Sequence, residues 1–371
     1  MSASRPIAFL FLGETLLIPH LWPIAEALAQ DAPDVPIELW VSTSIHEVML
    51  GRWSAPFPNM RVRRAPSFRP VPLPEDGRNP VLSAKLPMLA RLVPHLAGAA
   101  AIVCAEQTSL WLPRVLPFGL PPFVKTSHGA GSMSARDDRR RRAATLTLVP
   151  SEMERDSYIA RGLDPARIVA TGYVKASFAH RTPARALFTQ QRETIVYAPH
   201  WQRQRSSWWA WGRQVVAMLC AQDRWNVILA PHQRLLEKDG EVRGILQQAA
   251  RLPHVHADWS SFAMVDGSYM AAADLYLGDT SSQVMEFMAK PRPCVFLNNN
   301  GLDWRATDDH GFWACGEVVD DLARLADALT EAPARHDRYA AEQVRLTKAA
   351  LGAIDEEAPH RAARAILALA Y

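Results

Sequence analysis

Short apolar runs alternate with stretches of helical periodicity along the whole chain. The run IAFLFLG reads as a buried strand, and Leu21, Ile24 and Leu28 then recur at the spacing of one helix face. Such alternation predicts βαβ units, parallel sheets and an α/β fold class. The other strand-like runs are IELWVS, AIVCAE, FVKTSHG, TLTLV, RIVATGY, TIVYAPH, WNVILAPH, HVHA, DLYLGD and CVFLNN. The proline-rich residues 53–97 give no clear pattern.

The pattern divides the chain into two similar halves. Residues 181–193 are polar, lack a strand pattern and read as a linker. A chain of 371 residues is also long enough for two hydrophobic cores. We therefore expect an N-terminal Rossmann-like domain over 1–182 and a second one over 190–350. The tail reads as helices only, and the last helix, over 351–371, is expected to pack back on the first domain.

Composition narrows the class of protein. Apolar residues make up 49% of the chain and charged residues 21%, which is typical of a folded globular protein, and the net charge of +3 does not suggest a nucleic-acid partner. Cys104, Cys220, Cys294 and Cys315 form no C-x-x-C pair, so neither a zinc site nor a disulfide framework is indicated. No uncharged apolar stretch reaches the roughly 20 residues that span a bilayer. We expect a cytoplasmic protein whose membrane contact, where it occurs, is peripheral and on the inner face.

Residues that can do chemistry follow the apolar strands where each strand ends. Ligands of open parallel sheets bind beyond the carboxyl ends of the strands. The first half has Gly13-Glu14, Ser127-His128-Gly129 and Thr171-Gly172-Tyr173 at these points, and the second has Pro199-His200-Trp201, Pro231-His232-Gln233 and Asp279-Thr280-Ser281-Ser282. One such histidine is more often structural, but three at equivalent places favour a functional role.

The turn with three hydroxyls, Thr280 to Ser282, has two interpretations. The spacing Thr280-x-x-Gln283 fits a capping box, in which the hydroxyls only cap a helix. Alternatively, the backbone N–H groups and partial positive charge of the helix start hold a phosphate. The chain has no P-loop and no G-x-G-x-x-G motif, which disfavours a mononucleotide kinase or an ordinary dinucleotide enzyme.

The basic run RDDRRRR over residues 136–142 also has two interpretations. It is a solvated face in which Asp137 and Asp138 neutralise part of the charge. Alternatively, Arg136, Arg139 and Arg140 contact an anionic acceptor or an acidic membrane surface.

The order of these motifs resembles the GT-B glycosyltransferases and, within that architecture, the CDP-glycerol glycerophosphotransferases of the teichoic-acid type. SHGAGS is similar to the family's Trp-His-Gly-Thr segment at His128 and Gly129, but lacks its Trp and Thr. YAPHW resembles Tyr-Ala-Pro-Thr-Trp, with His200 in place of Thr, and LAPHQR matches Arg-Pro-His-Pro at Pro231 and His232. ADLYLGDTSSQVMEF is similar to the family's Ala-Asp-x-Leu-Ile-Thr-Asp-Tyr-Ser-Ser-x-x-x-Glu/Asp-Phe run. The resemblance covers about residues 125–300.

The resemblance implies two Rossmann-like domains that face across a cleft, with C-terminal helices. It implies a transferase that moves a glycerol-phosphate or polyol-phosphate group from a CDP-linked donor to an acceptor hydroxyl in surface polysaccharide synthesis. The acceptor would be a polyol, a glycan or a lipid-linked molecule.

The resemblance also implies roles for individual residues. Donor binding is assigned to Gly129, His200, Thr280, Ser281, Ser282 and Glu286, with Glu286 on the ribose. His232 is expected to donate to the phosphate charge, and His128 to act as general base. Glu14 is the alternative base. No Asp-x-Asp motif is present, so we expect no metal and no cofactor besides the nucleotide-linked donor.

Three other functions remain open. The first is a GT-B sugar transferase that uses a UDP-, GDP- or CMP-sugar donor for a capsule or surface glycan. The second is a sugar-nucleotide 2-epimerase, which has a similar serine-rich turn followed by Glu but needs acidic residues that SHGAGS does not offer. The third is a catalytically inactive module that only binds a nucleotide.

Overall fold

The structure, a computed structural model, describes residues 4–71, 81–129, 138–183 and 187–371. The described residues form two compact units. Unit 1 consists of those up to His180 together with Ala349–Tyr371, and unit 2 consists of those within Arg181–Lys348. None of the described helices is long and apolar enough to cross a membrane.

Unit 1 is built on a parallel sheet of seven strands in the order β3-β2-β1-β4-β5-β6-β7. The strands are β1 Ile7–Phe11, β2 Ile37–Thr43, β3 Met60–Arg69, β4 Ala101–Cys104, β5 Phe123–Thr126, β6 Leu146–Val149 and β7 Ile168–Ala170. The helices of this unit are α1 Ile18–Asp31, α2 Ser44–Ser54, α3 Lys85–Leu96, α4 Trp111–Val115, α5 Asp138–Arg141, α6 Glu152–Ala160 and α14 Glu357–Ala370. Every residue of β1 and β4 is buried, as expected for strands covered on both faces.

Unit 2 repeats this plan with six parallel strands in the order β10-β9-β8-β11-β12-β13. The strands are β8 Thr194–Ala198, β9 Asn226–Leu229, β10 Val255–Ala257, β11 Leu275–Gly278, β12 Cys294–Leu297 and β13 Glu317–Val319. The helices are α7 Arg213–Ala221, α8 Gln233–Lys238, α9 Val242–Ala249, α10 Ser268–Ala272, α11 Gln283–Met288, α12 Leu325–Arg335 and α13 Asp337–Leu351. The core between sheet and helices contains Trp208 and Tyr197, both almost completely buried.

The predicted fold class, α/β with two Rossmann-like parallel sheets, is confirmed. Two details differ from the sequence pattern. The proline-rich residues 53–97 contain β3 and α3, and β3 is an edge strand with several exposed residues, so no apolar run marks it. The tail is not helical throughout, because β13 adds a sixth strand to the second sheet.

The terminal helix α14 belongs to unit 1 and packs against α1, and its buried side chains include Ala362, Ala363 and Ile366. The chain that leads into this helix passes close to the end of β7. Gly172, just after that strand, has a φ of +92°, and a Cβ placed there would lie 2.7 Å from the carbonyl oxygen of Ala353. The backbone N–H of Tyr173 donates to the same carbonyl, at 2.9 Å. The glycine is therefore required both by its conformation and by this close approach.

We expect Gly172→Ala to destabilise unit 1, because a side chain at this φ costs about 1–3 kcal/mol before the clash with Ala353 is counted. The measurement is the urea midpoint followed by tryptophan fluorescence. Gly98→Ala is the matched control, since Gly98 has open space around its Cβ position. Equal midpoints for the two variants would show that the C-terminal segment does not approach Gly172 in this way.

Candidate functional site

Three of the predicted strand ends lie side by side in unit 2. Strands β9, β8 and β11 are neighbours in the sheet, and His232, His200 and Asp279 follow them. The rings of His200 and His232 meet edge to face with their centroids 5.5 Å apart. The ring of Trp201 lies 6.3 Å from that of His232. The structure therefore brings two imidazoles and the hydroxyl-rich turn to one edge of the sheet.

Asp279 is a buried carboxylate that ties the loop after β8 to the turn after β11. Its Oδ1 accepts a hydrogen bond from the backbone N–H of His200 at 2.9 Å. Its Oδ2 accepts from the backbone N–H of Ser207 at 2.5 Å and from the Ser207 hydroxyl at 2.8 Å. Burial raises the pKa of Asp279 to about 6, although these donors act to lower it. One side chain thus fixes the position of His200 relative to the turn.

Backbone contacts decide which nitrogen of each imidazole holds the proton. Nδ1 of His200 accepts from the N–H of Gln202 at 3.2 Å, and Nδ1 of His232 accepts from the N–H of Arg234 at 3.1 Å. Because Nδ1 must be unprotonated to accept, the neutral ring carries its proton on Nε2. Burial is the main cause that lowers the pKa of His200 to about 4 and that of His232 to about 3. Both rings are therefore neutral Nε2–H donors near pH 7.

The hydroxyls of the turn have different partners. The capping box predicted for Thr280 and Gln283 does not form, because the Gln283 backbone N–H donates to Ser281 Oγ at 3.2 Å instead. The Gln283 side chain donates to the carbonyl of Met264 at 2.8 Å. Thr280 Oγ1 is buried and has no hydrogen-bond partner among the described residues. The Ser281 hydroxyl therefore accepts from the first backbone N–H of α11, whereas the Thr280 hydroxyl is not used in this way.

Glu286 lies on α11, one turn beyond these hydroxyls, and is partly buried. A Cβ on Gly267 would be 3.6 Å from its Oε2, so this carboxylate lies beside the loop that precedes α10. Asp266 holds that loop by accepting from the backbone N–H and the hydroxyl of Thr182, both at 2.7 Å. The Glu286 carboxylate therefore lies near the turn Thr280 to Ser282 but is not part of it.

In unit 1, His128 has the opposite tautomer. Its Nδ1 lies 2.8 Å from the carbonyl oxygen of Ala105, which can only accept, so Nδ1–H donates. The neutral ring then has its lone pair on Nε2 and can take up a proton there. Gly129 follows with a φ of +81°. Glu14 is partly buried and precedes the short helix Thr15–Leu17.

Glu106 is a residue that the sequence analysis missed. It follows β4, whose neighbours in the sheet are β1 and β5, so it lies at the same sheet edge as His128 and Glu14. Its Oε1 accepts from Lys85 Nζ and from the hydroxyl of Ser109, both at 2.9 Å. The sequence does contain a signal for it, since Glu106 is the acidic residue that ends the strand-like run AIVCAE.

A buried cluster supports the strand end that carries His128. The hydroxyls of Ser127 and Tyr158 donate to Glu154 Oε1 at 2.8 and 2.9 Å. Lys125, on β5, is completely buried, and burial is the largest cause that lowers its pKa to about 7. These contacts hold Ser127, and with it the backbone that leads to His128.

The basic run does not form one uniform face. Arg141 is buried and lies 4.1 Å from the ring centroid of Tyr158. Arg139 is exposed, and Arg140 is partly exposed, 5.5 Å from the ring centroid of Trp111. Arg136 lies outside the described residues. A purely solvated run is therefore wrong for Arg141.

No protein-family model matches the sequence, and no curated protein matches it either. Solved structures do match over almost the whole chain. The wall teichoic acid polymerase TagF, in a structure soaked with CDPG, gives a TM-score of 0.63 at 14% identity, covering 98% of this chain and 88% of that chain.

UDP-GlcNAc 2-epimerases match to a similar degree. The enzyme from Neisseria meningitidis bound to UDP-GlcNAc gives a TM-score of 0.58 at 10% identity and covers 98% of both chains. The S. aureus MnaA-UDP structure gives 0.60 at 12% identity, covering 96% of this chain and 94% of that chain. This chain has the GT-B fold. At these identities the similarity establishes the fold, and the activity has to be argued from the site.

We expect the stability of the protein to fall as the pH is lowered from 6.5 towards 4. His200 and His232 are protonated in the unfolded chain below about pH 6.5 but stay neutral when folded down to about 4 and 3. The unfolded state then binds more protons than the folded state. Each histidine therefore makes the free energy of unfolding increase with pH by about 1.4 kcal/mol per pH unit in this window. Asp279 opposes this pH dependence, because its raised pKa of about 6 means that the folded state binds one more proton there than the unfolded state does.

The check is the free energy of unfolding in urea at several pH values. His232→Gln should reduce the slope by about one proton in this window, since glutamine does not titrate. His95→Gln, at an exposed position on α3, is the control. A slope identical in wild type and His232→Gln would show that His232 is not held neutral by the fold.

Proposed function

We propose that this protein is a transferase that moves a glycerol-phosphate or related polyol-phosphate group from a CDP-linked donor to an acceptor hydroxyl in bacterial cell-envelope polysaccharide synthesis. The observation that supports it is that three histidines differ in which ring nitrogen holds the proton. Unit 2 holds two neutral Nε2–H donors, His200 and His232, and unit 1 holds His128 with its acceptor on Nε2. A transfer reaction needs donors for a leaving phosphate and an acceptor for a proton.

The donor's diphosphate is assigned to the sheet edge of unit 2. His200 and His232 donate to phosphate oxygens, and the buried Thr280 hydroxyl adds a third donor. After burial, the positive charges of Arg205 and Arg234 are the next causes that lower the pKa of the His200 imidazole, so both guanidinium groups lie near this edge. Ser281 and Ser282 contribute the backbone N–H groups of the turn, and Glu286 accepts from the ribose hydroxyls.

The step itself forms one P–O bond and breaks another. The acceptor oxygen attacks the phosphorus that carries the polyol, the bond from this phosphorus to the oxygen of CMP breaks, and CMP leaves with the bonding electrons. His128 Nε2 takes the proton of the acceptor hydroxyl. The charge that develops on the leaving phosphate strengthens the hydrogen bonds from His200 and His232 in the transition state, which lowers the barrier. Glu14 is the alternative base in unit 1.

The nucleotide base and the transferred group are the finer part of the proposal. A UDP-, GDP- or CMP-sugar would use the same donors, since they recognise phosphate and not the base. Arg139 and Arg140 are assigned to an anionic acceptor, which a polyol, glycan or lipid-linked molecule with phosphate groups would provide.

A sugar-nucleotide 2-epimerase is the second candidate, and Glu106 is the observation that favours it. An epimerase needs carboxylates near the sugar, and Glu106 and Glu14 follow the neighbouring strands β4 and β1. The similarity to UDP-GlcNAc 2-epimerases points the same way. Such an enzyme would convert a nucleotide sugar to its epimer without any acceptor, so the product distinguishes the two candidates. Tight nucleotide binding with no product from any donor would instead indicate a binding module.

We expect His232→Gln and His128→Gln to separate binding from chemistry. His232→Gln should weaken the binding of CDP by roughly 10- to 100-fold, because it removes a hydrogen bond to a charged group. His128→Gln should leave CDP affinity unchanged and lower turnover by about 10²- to 10⁴-fold. Calorimetry with CDP, UDP and GDP and an assay for CMP release measure the two effects.

His336→Gln, at the end of α12, is the matched control for both measurements. Turnover near wild type in His128→Gln would remove this residue from the mechanism and leave Glu14 as the base. CDP affinity unchanged in His232→Gln would overturn the assignment of the phosphate to the strand ends of unit 2.

We also propose that the reaction requires no metal ion, because neutral and positively charged donors surround the phosphate position. Among the residues that the structure describes, no three His, Cys, Asp or Glu side chains are placed to hold a metal ion. If these donors carry the charge of the leaving phosphate, turnover should survive dialysis against EDTA. Activity that is lost in EDTA and restored only by Mg²⁺ or Mn²⁺ would contradict this.

A further inference from the structure

An apolar loop of unit 1, residues 115–120, begins at Val115, the last residue of α4. In it the side chain of Phe118 is 91% exposed, that of Val115 64% and that of Leu116 41%. Phe118 is the most exposed of the large apolar side chains that the structure describes. Single exposed apolar residues are normal on protein surfaces, but three within four positions are a patch that needs an explanation.

The base of the loop is attached to the fold. Leu120 packs against the hydrophobic core of unit 1, and Gly119 turns the chain with a φ of +88°. The core therefore holds the inner end of the loop while the outer side chains stay in water. The folded unit does not use Phe118 for its own stability.

Two arginines lie beside the first residue of α4, the short helix that leads into this loop. Arg114 and Arg140 lie 5.0 and 5.5 Å from the ring centroid of Trp111, at the start of α4. Arg139 precedes Arg140 and is exposed. Residues 107–136 contain no Asp or Glu, and residues 136–142 contain five Arg against two Asp. An apolar tip with a positively charged base is complementary to an anionic surface with an apolar interior.

We propose that the Phe118 loop docks this protein onto an anionic lipid bilayer. Phe118, Val115 and Leu116 enter the boundary between headgroups and acyl chains, and Arg114, Arg139 and Arg140 bind the lipid phosphates. A second copy of the chain fits less well, because a stable interface buries roughly 800 Å² on each partner and three side chains cannot supply that area. Docking shares Arg139 and Arg140 with the acceptor assigned above, but it involves neither the nucleotide donor nor the three histidines, so vesicle binding without any donor tests it separately from the proposed reaction.

The test is co-sedimentation of the full chain with vesicles of phosphatidylcholine alone or mixed with phosphatidylglycerol. Wild type should bind the mixed vesicles and not the neutral ones. Phe118→Ser should weaken this binding by about tenfold or more, because the apolar contact is lost. Arg139→Gln should weaken it by about fivefold. Both positions are exposed, so the variants are expected to fold normally.

Val344→Ser, at an exposed apolar position of α13 in unit 2, is the matched control and should bind like wild type. A Phe118→Trp variant should gain fluorescence quenching by brominated lipids relative to wild type, which reports insertion. Absence of binding to mixed vesicles, or binding that Phe118→Ser does not weaken, would overturn the proposal. It would also be overturned if Phe118→Ser dissociated a dimer in light scattering without changing vesicle binding.

Discussion

The buried carboxylate of Asp279 is the constraint on which the arrangement of unit 2 depends. A charge removed from water is costly unless donors surround it, and here the backbone of His200 and both donors of Ser207 do so. These bonds join the end of β8 to the end of β11, two neighbouring strands. The backbone of His200 is consequently fixed before any ligand arrives, and the N–H of Gln202 holds its ring. Donors that need no rearrangement are the ones that stabilise a developing charge most effectively.

Hydrogen bonds to the backbone also explain how histidine can act as a hydrogen-bond donor at one site and as a proton acceptor at another. A carbonyl oxygen next to Nδ1 of His128 makes its Nε2 an acceptor, whereas backbone N–H groups next to Nδ1 of His200 and His232 make Nε2 a donor. The local backbone, and not the imidazole, sets the chemistry. His232 obtains its partner from the first turn of α8, where an N-terminal N–H would otherwise lack an acceptor.

The sequence pattern predicts most of the fold and part of the candidate site. Strands buried on both faces leave apolar runs, so their ends, and the three histidines there, could be located without a structure. Edge strand β3 leaves no such run, and residues 53–97 stayed unassigned. Glu106 was missed because its environment is non-local: Lys85, its cationic partner, is 21 positions away. Arg141 was taken as solvated because nothing in RDDRRRR shows which arginine the ring of Tyr158 covers.

The state of Glu106 bears on the choice between the two candidate activities, since the GT-B fold accommodates both. A carboxylate acts as a base when its lone pairs are available to a substrate proton. Both oxygens of Glu106 are engaged, Oε1 by Ser109 and Lys85 and Oε2 by the ammonium of Lys85 at 2.8 Å. Lys85 therefore contacts both oxygens of this carboxylate. Epimerisation would have to break this pair before Glu106 could act, whereas transfer with His128 as base leaves it intact. The Lys85–Glu106 pair is therefore the feature of unit 1 on which the two proposed activities make different demands.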